Sequence, residues 1–410
     1  MDSETFIARQ PIFDARIQVQ GYELLHRSGW TNAFEGGDPD QATVEVLNGS
    51  LLVNRFQDLT DGKRGYINVP RNVLVQDFLE LLPPELAVIE VLETVGPEPE
   101  VLAAMRRLRR KGYTIALDDF VDPKANKRLL QLADIIKVDF KQTGSADREA
   151  LVECCQRPGL VFLAEKVETH KEFEEAKSLG FELFQGYFFC KPETTVSHDL
   201  PRSTANYIEL LKEVMRDELN LGRLERVIQR EQSLSAKLLR YINSIHFGVQ
   251  DEILSIKQAL IHLGERPLRR WGMLMALAGI GEGKPNELVR TCLVRARFCE
   301  TLSREANLDA DSLDLYLTGM FSGLDALVDR PLDLALEQLG LNPDIGAAIR
   351  GDGSGLSSAF GLAVACEQGD WGLYTLIAEQ LGLERERVAQ LYARALFWAD
   401  QLFVRGKEAA

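Results

Sequence analysis

Ile135-Ile-Lys-Val-Asp139 and Val161-Phe-Leu-Ala-Glu165 are short apolar runs, and each ends in a charged residue. Runs of this kind recur through the first 195 residues and alternate with segments of helical periodicity. The predicted strands are Gln18–Leu25, Gly65–Val69, Leu86–Leu92, Thr114–Leu117, Asp134–Val138, Leu160–Ala164 and Phe181–Phe184. Strands that alternate with helices indicate a parallel α/β sheet. This number of units favours a closed, TIM-like (β/α) barrel of reduced size, with some short or missing helices in its outer ring.

Helical periodicity continues without strands beyond this segment. Residues 191–201 are polar, are bounded by prolines and show no periodicity, so we predict a linker over residues 196–204. The helices predicted after it include Ala205–Leu219, Gly222–Gln232, Ser235–Ile245, Ile256–Leu263, Arg266–Ala278, Asn286–Ala306 and Glu384–Phe403. The expected organisation is a barrel over residues 1–195 followed by an all-α domain over residues 205–410.

The charge and composition exclude several classes of protein. The chain has 47 basic and 62 acidic residues among 410, and neither half is basic, so we expect no direct binding of nucleic acid through its phosphates. The longest apolar stretch, Gly272–Ile280, is too short to span a membrane. The first ten residues lack the basic-then-apolar order of a signal peptide, and the six cysteines form no CxxC pair. We therefore expect a cytoplasmic protein.

The polar residues near the strand ends form the candidate site. They are Glu23, Asn68, Glu90, Asp118, Asp119, Lys137, Asp139, Glu165 and Gln185. The carboxyl ends of barrel strands form one rim, where active sites lie. Carboxylates gathered there repel one another unless a cation is present, and carboxylate and amide oxygens are the ligands that Mg²⁺ or Mn²⁺ prefers. Each residue alone is also explained as a loop or cap residue, but the whole set predicts a divalent metal site and disfavours zinc.

The order of these residues resembles the EAL family of cyclic-di-GMP phosphodiesterases. The motifs that carry the resemblance are Tyr22-Glu-Leu-Leu-His-Arg27, Asn68, Glu90-Val-Leu-Glu93, Asp118-Asp-Phe120, Lys137-Val-Asp139, Glu165-Lys-Val-Glu-Thr169, Gln185-Gly-Tyr187 and Lys191-Pro192. Each motif is weak alone, whereas all of them in this order are highly specific. The resemblance covers about residues 5–193.

The resemblance implies a metal-dependent hydrolase site, because two divalent cations activate a water for in-line attack on a phosphodiester in that family. It implies one cation held by Glu23, Asn68, Glu90 and Asp118, and a second held by Asp118, Asp119 and Glu165. The catalytic set would be Glu23, Lys137, Glu165 and Gln185, with Lys137 and Gln185 orienting the water. The ligand-binding set would be Arg27, Asp139 and Glu168, with Arg27 on a ligand phosphate and Glu168 bracing the loop after Asp119.

Two departures from the family pattern lie beside these ligands. Active members continue Asp-Asp-Phe with glycine and further small residues, whereas this chain has Val121-Asp-Pro-Lys124. Valine and proline restrict the backbone, so we expect a reshaped loop at a place that couples the second metal to the dimer interface in the family. Lys166 stands where glycine is usual and adds a cation. We therefore expect good dinucleotide binding, weak binding of the second cation, and slow or undetectable turnover.

The second half resembles the HDOD domain, an all-helical relative of the HD metal phosphohydrolases. The matching segments are Leu234–Ser244, Phe247-Gly248, Ser255–Ala259 and Leu263-Gly264. Those enzymes need a His-Asp pair for their metal, which this half lacks, and His246 and His262 are better explained as packed or capping residues. The resemblance implies a non-catalytic module that senses a signal or binds a partner. The order of the two modules looks like the EAL–HDOD hybrid signalling proteins of bacteria.

Three hypotheses about function stay open at this point. The first is a cyclic-di-GMP receptor that relays occupancy to the helical domain, and the second is an active phosphodiesterase that yields the linear dinucleotide. The third is an interaction scaffold that has lost its ligand. The loop after Asp119 weighs modestly for the first over the second. The residues that weigh against the third are the retained Glu23, Arg27, Asn68, Glu90, Asp118 and Asp119. The protein partner of the helical domain stays unknown, and a homodimer stays open.

Overall fold

The structure is a computed structural model that describes residues 6–27, 56–57, 59–124, 126–192, 202–216, 218–243, 252–306, 308, 310–339 and 341–408. Its N-terminal part is a closed barrel of eight strands, in which neighbours in sequence pair and the last strand closes onto the first. The strands are β1 (Phe6–Asp14), β2 (Val19–Arg27), β3 (Arg64–Val69), β4 (Ala87–Val91), β5 (Thr114–Leu117), β6 (Ile135–Asp139), β7 (Val161–Glu165) and β8 (Leu183–Gln185). The predicted barrel is confirmed.

Strand β1 is absent from the seven predicted strands. Its sequence, Phe6-Ile-Ala-Arg-Gln-Pro-Ile-Phe-Asp14, contains a proline, which is unusual inside a strand, and Arg9 and Gln10 interrupt its apolar pattern. The structure pairs β1 antiparallel with both β2 and β8, whereas all the other pairs are parallel. The barrel therefore closes through one antiparallel strand that sequence periodicity does not reveal.

The helices outside the barrel are uneven in length, as predicted. They are α1 (Arg71–Val75), α2 (Pro99–Arg110), α3 (Lys127–Leu130), α4 (Ser145–Cys155) and α5 (His170–Ser178). The capping box predicted at Thr169 is present: its hydroxyl accepts from the Glu172 backbone N–H at 3.2 Å, and the Glu172 carboxylate accepts from the Thr169 N–H at 3.0 Å.

The barrel interior is filled by one layer of apolar side chains. The layer consists of Ile12, Tyr66, Val88, Ala116, Ile135 and Leu163, each of them almost completely buried. The barrel is thus a packed core, and any ligand must bind at its rim.

Beyond residue 201, the described residues form helices and the short connections between them. The helices are α6 (Arg202–Met215), α7 (Leu221–Gln229), α8 (Gln232–Ile242), α9 (Ile256–Leu263), α10 (Glu265–Ile280), α11 (Asn286–Leu302), α12 (Ser312–Phe321), α13 (Leu324–Val328), α14 (Leu332–Leu339), α15 (Pro343–Ile349), α16 (Gly355–Gln368), α17 (Trp371–Gln380) and α18 (Arg385–Glu408). The predicted all-α character is confirmed.

By contacts, the chain divides into two compact units. The first consists of Met1–Lys191, Leu293–Met320 and Ala348–Ala410, so it contains both the barrel and the C-terminal helices. The second consists of Pro192–Cys292 and Phe321–Ala347. In the second unit α6 and α10 pack closely, since a Cβ at Gly279 would lie 2.3 Å from the Tyr207 ring. The domain limits 1–195, 196–204 and 205–410 stay a prediction about sequence modules, which contacts alone do not define.

Candidate metal centre

The apolar layer of the barrel fixes where the polar layer lies. Side chains two positions apart on a strand point to the same face. Asn68, Glu90, Asp118, Lys137 and Glu165 each follow a member of the apolar layer by two residues, on β3 to β7 and the turn after β5. They therefore point into the barrel mouth, one layer above the core, as the sequence predicts.

Lys137 lies at the centre of this layer. Its ammonium is 2.8 Å from a Glu90 oxygen, 2.9 Å from Asp118 and 2.8 Å from Glu165. A Glu23 oxygen lies 3.7 Å away. The side chain is only 1% exposed. Burial lowers the pKa of Lys137, but the surrounding carboxylates outweigh it and raise the pKa well above its ordinary value, so the lysine is a fixed cation.

Glu23 is held by two amides. Asn68 Nδ2 donates to Glu23 Oε1 at 2.8 Å, and Gln185 Nε2 donates to Glu23 Oε2 at 2.6 Å. Burial raises the pKa of Glu23, but the charge of Lys137 and these two hydrogen bonds outweigh burial and lower it. Glu23 is therefore an ionised carboxylate in a fixed orientation, as a metal ligand or a proton acceptor must be.

The remaining acids carry more negative charge than Lys137 balances. Burial raises the pKa of Glu90 well above its ordinary value, and the neighbouring carboxylates add to this effect. Burial also raises the pKa of Glu165, to about 8, and the pKa of Asp119, which Asp118 raises further. A second cation in this layer would therefore favour the ionised forms of all three groups.

The oxygen atoms of this layer fit a hard divalent cation. Oxygens of Asp118, Asp119 and Glu165 lie within 4.8 Å of one another, which is the one such group among the described residues. Asn68 Oδ1 and Asp119 Oδ1 are buried without a hydrogen-bond partner. Buried oxygens of this kind normally have a partner, and an all-oxygen set suits Mg²⁺ or Mn²⁺. The donor set is therefore suited to bind a divalent metal.

Asp139 and Lys166 form a pair at the edge of the layer. Asp139 accepts from the backbone N–H of Lys141 at 2.7 Å and from the Lys166 ammonium. Lys166 has φ of +54°, a left-handed conformation that glycine adopts most readily. This backbone conformation explains why glycine suits the position. Lys166 adopts the conformation nevertheless, and its side chain is 51% exposed. Its positive charge acts on Asp119 and Glu165 as well.

Two predicted ligand-binding residues keep their roles as predictions. Glu168 pairs with Lys141, which follows β6, and its bracing of the loop after Asp119 stays a prediction. The side chain of Arg27 lies outside the described residues, and its role stays a prediction. In the loop after Asp119, Val121 is exposed and Asp122 closes a turn by accepting from the Lys124 N–H at 2.8 Å.

An open cavity of about 360 Å³ covers the polar layer. Besides the predicted residues, Gln10, Lys141, Tyr187 and Gln368 line it. Gln10 lies opposite Glu23 in the register of β1 and β2. It was missed because β1 was missed. A glutamine inside the apolar run Phe6–Asp14 is the one signal that could have indicated it.

Comparison with known proteins agrees with the order of motifs. The EAL domain family model matches residues 68–192, and the HDOD domain family model matches residues 200–328. The chain is 35% identical over 401 residues to the cyclic di-GMP phosphodiesterase CdgJ of Vibrio cholerae, which covers 97% of this chain and 93% of that protein. It is 34% identical over 405 residues to the uncharacterized protein YuxH of Bacillus subtilis, over 97% of this chain and 98% of that protein.

Among solved structures, one similar protein is YkuI of Bacillus subtilis, which has an EAL domain in complex with cyclic di-GMP and calcium. The match covers 56% of this chain and 73% of that chain, at 19% identity and a TM-score of 0.39.

Among the described residues, none of the helices is long and apolar enough to cross a membrane. The two domain matches in this order, and relatives of at least one-third identity along nearly the whole chain, show that the protein belongs to the EAL–HDOD family.

Proposed function

We propose that this chain binds cyclic di-GMP together with divalent cations at the mouth of its barrel and relays occupancy to its helical region, with slow or no turnover. The observation that carries the proposal is the acidic layer around Lys137. It holds more carboxylates than one lysine can neutralise, and some of its buried oxygens have no hydrogen-bond partner. The likeness to CdgJ, named a cyclic di-GMP phosphodiesterase, supports this choice of ligand.

The chain's own residues prepare the site for a phosphodiester. Glu23, Asn68, Glu90 and Asp118 would hold one cation, and Asp118, Asp119 and Glu165 would hold the other; Mg²⁺ or Mn²⁺ suits both sets. Such cations polarise a phosphoryl oxygen and lower the pKa of a bound water. Lys137 is held rigidly beside the ligands, and Gln185 keeps one amide oxygen without a partner, so both can orient a water.

Slow turnover follows from the position of Lys166. Its ammonium binds Asp139 and acts on Asp119 and Glu165, two of the three groups assigned to the second cation. A fixed positive charge competes with a cation at that end of the layer. The first cation, on the side of Glu23 and Asn68, does not face this competition.

Active hydrolysis is the second candidate. The grouping of Asp118, Asp119 and Glu165 within 4.8 Å favours it, since this set is complete for a second cation. A scaffold without ligand is disfavoured, because such a scaffold has no use for a buried surplus of carboxylates. The protein partner of the helical region is unassigned, and a homodimer stays an open proposal.

Calorimetric titration of the purified chain with cyclic di-GMP in Ca²⁺, together with chromatography of the products in Mg²⁺ and in Mn²⁺, tests the proposal. We expect binding in Ca²⁺ and slow cleavage in the other two metals, faster in Mn²⁺, which tolerates imperfect geometry better than Mg²⁺. Arg27→Ala should weaken binding by about 1.5–3 kcal/mol, the size of a charge-assisted hydrogen bond. Brisk cleavage in Mg²⁺, lost in Glu23→Ala, would establish the second candidate, and absence of binding would refute both.

A further inference from the structure

A chain of hydrogen bonds joins the C-terminal helices to the metal centre within the first compact unit. Gln10 Nε2 donates to the backbone carbonyls of Glu367 at 3.3 Å and Gln368 at 3.2 Å, at the end of α16. Gln10 Oε1 accepts from Gln185 Nε2 at 2.9 Å. Gln185 Nε2 uses its other hydrogen on Glu23 Oε2 at 2.6 Å.

This arrangement fixes which way the Gln185 amide faces. Its nitrogen has two hydrogens, and both are used, one on Gln10 and one on Glu23. Its oxygen is thereby directed away from them and is buried without a hydrogen-bond partner. The carbonyls of α16 hold the Gln10 nitrogen and thereby turn the Gln10 oxygen toward Gln185. The end of α16 therefore sets the orientation of two amides in series.

The end of α16 is held by a neighbouring helix and packs against the barrel. Glu367 forms a two-pronged ion pair with Arg295 of α11, at 2.8 and 2.7 Å, and both side chains are buried. Gly369 ends the helix at φ of +67°, and a Cβ there would lie 2.8 Å from Leu25 Cδ1 on β2. A residue with a side chain would strain this turn and crowd β2.

A second contact between the C-terminal helices and β1 is made by Arg9, the residue before Gln10. Arg9 NH2 donates to both carboxylate oxygens of Asp400 on α18, at 2.8 and 2.9 Å, and Arg9 NH1 donates to the Leu59 carbonyl at 2.8 Å. Arg9 is buried. Asp400 does not line the cavity, so the contact through which it can act on the site is its pairing with Arg9 on β1.

We propose that α16 and α18 are a positioning element of the barrel site: by holding Gln10 and its neighbour Arg9, they fix the orientation of Gln185 and Glu23. These helices lie after residue 328, outside both the EAL and the HDOD matches. The C-terminal segment is then a working part of the dinucleotide site, and a change in the packing of α16 or α18 changes ligand affinity. The inference rests on the proposed function for its ligand.

The test is a double-mutant cycle in the full chain, with Gln10→Met at the site and Asp400→Asn at the remote anchor. Gln18→Glu, on the exposed turn between β1 and β2, is the control. Affinity for cyclic di-GMP in Ca²⁺ is measured by calorimetry, affinity for Mn²⁺ alone by electron paramagnetic resonance, and folding by thermal melting.

We expect Gln10→Met to weaken dinucleotide binding about tenfold and Asp400→Asn about threefold, the usual range for residues that act through a network. The double variant should bind like Gln10→Met alone, because both changes release the same amide. Asp400→Glu, which keeps the carboxylate, should restore affinity. The control should bind like the wild type.

An Asp400→Asn variant that melts at a lower temperature but binds both probes as the wild type does would overturn the proposal, and so would effects that add in the double variant. If the wild type does not bind cyclic di-GMP, the proposed function fails. The positioning role is then decided by Mn²⁺ alone: Asp400→Asn should weaken Mn²⁺ binding about threefold through Glu23, and unchanged Mn²⁺ binding refutes the role.

Discussion

Two clusters of buried charge lie in the first compact unit, and they are built differently. In the barrel mouth, Glu90, Asp118 and Glu165 share the single ammonium of Lys137. Between α11 and α16, Arg295 and Glu367 form a matched pair with two hydrogen bonds. In the matched pair each charge lies against an opposite charge, whereas the barrel cluster leaves oxygens without hydrogen-bond partners.

The difference separates a structural ion pair from a binding site. A buried ion pair in which each charge faces its opposite fixes the orientation of the elements that carry it. It adds little net stability and needs no ligand. A buried cluster with surplus negative charge is costly in the empty protein and is relieved by a cation. The predictions below therefore compare the same kind of substitution in the two clusters or change the charge of one of them.

Removal of the central cation should have the largest effect. Lys137→Met leaves several buried carboxylates uncompensated, and we expect the metal-free protein to lose about 3–5 kcal/mol of stability. Arg295→Met leaves Glu367 alone and should cost a similar amount. Denaturant unfolding in EDTA measures both.

Added Mn²⁺ should distinguish the two variants. It should restore much of the stability of Lys137→Met, because the metal takes over the charge of the lysine, and it should give Arg295→Met only the increment that the wild type shows. Equal increments in the two variants would mean that the barrel cluster is an ordinary ion-pair network.

A smaller effect is expected from Lys166→Gly, which removes the cation at the second-metal end and suits φ of +54°. We expect Mn²⁺-dependent cleavage to rise about fivefold to tenfold, the effect of one partly screened charge a few ångströms away. Product formation under single-turnover conditions measures it.

Two controls separate charge from backbone. Lys166→Gln removes the charge but keeps the strain of a non-glycine residue at positive φ, so it should show most of the rise in cleavage. Ile17→Gly changes another left-handed residue, on the turn between β1 and β2, and should leave cleavage unchanged. A gain in Ile17→Gly, or none in Lys166→Gln, would contradict the electrostatic explanation for slow turnover.

The sequence could predict the parallel part of the barrel, since β2 to β8 lie within two residues of the predicted strands at each end. Their apolar runs also placed Glu90, Lys137 and Glu165 on one rim, because a strand of period two leaves no other position for them. It could not predict β1, whose pairing depends on partners at both edges. It could not predict the contact between Gln10 and Glu367 either, because these residues are separated by 357 positions and meet through a backbone carbonyl.

The smallest and sharpest test changes one oxygen to nitrogen in each cluster. Glu90→Gln removes a buried carboxyl that is costly to ionise among its acidic neighbours, and it keeps an oxygen for Lys137, so we expect the metal-free protein to gain about 1 kcal/mol of stability. Glu367→Gln removes the charge from a matched pair, so we expect a loss of about 1–3 kcal/mol. Unfolding in EDTA gives both values, and Mn²⁺ binding should weaken only in Glu90→Gln. The same chemical change would then have opposite signs in two buried clusters of one compact unit. A loss of stability in both variants would show that Glu90 is held as a structural partner of Lys137 and not as a ligand that awaits a metal.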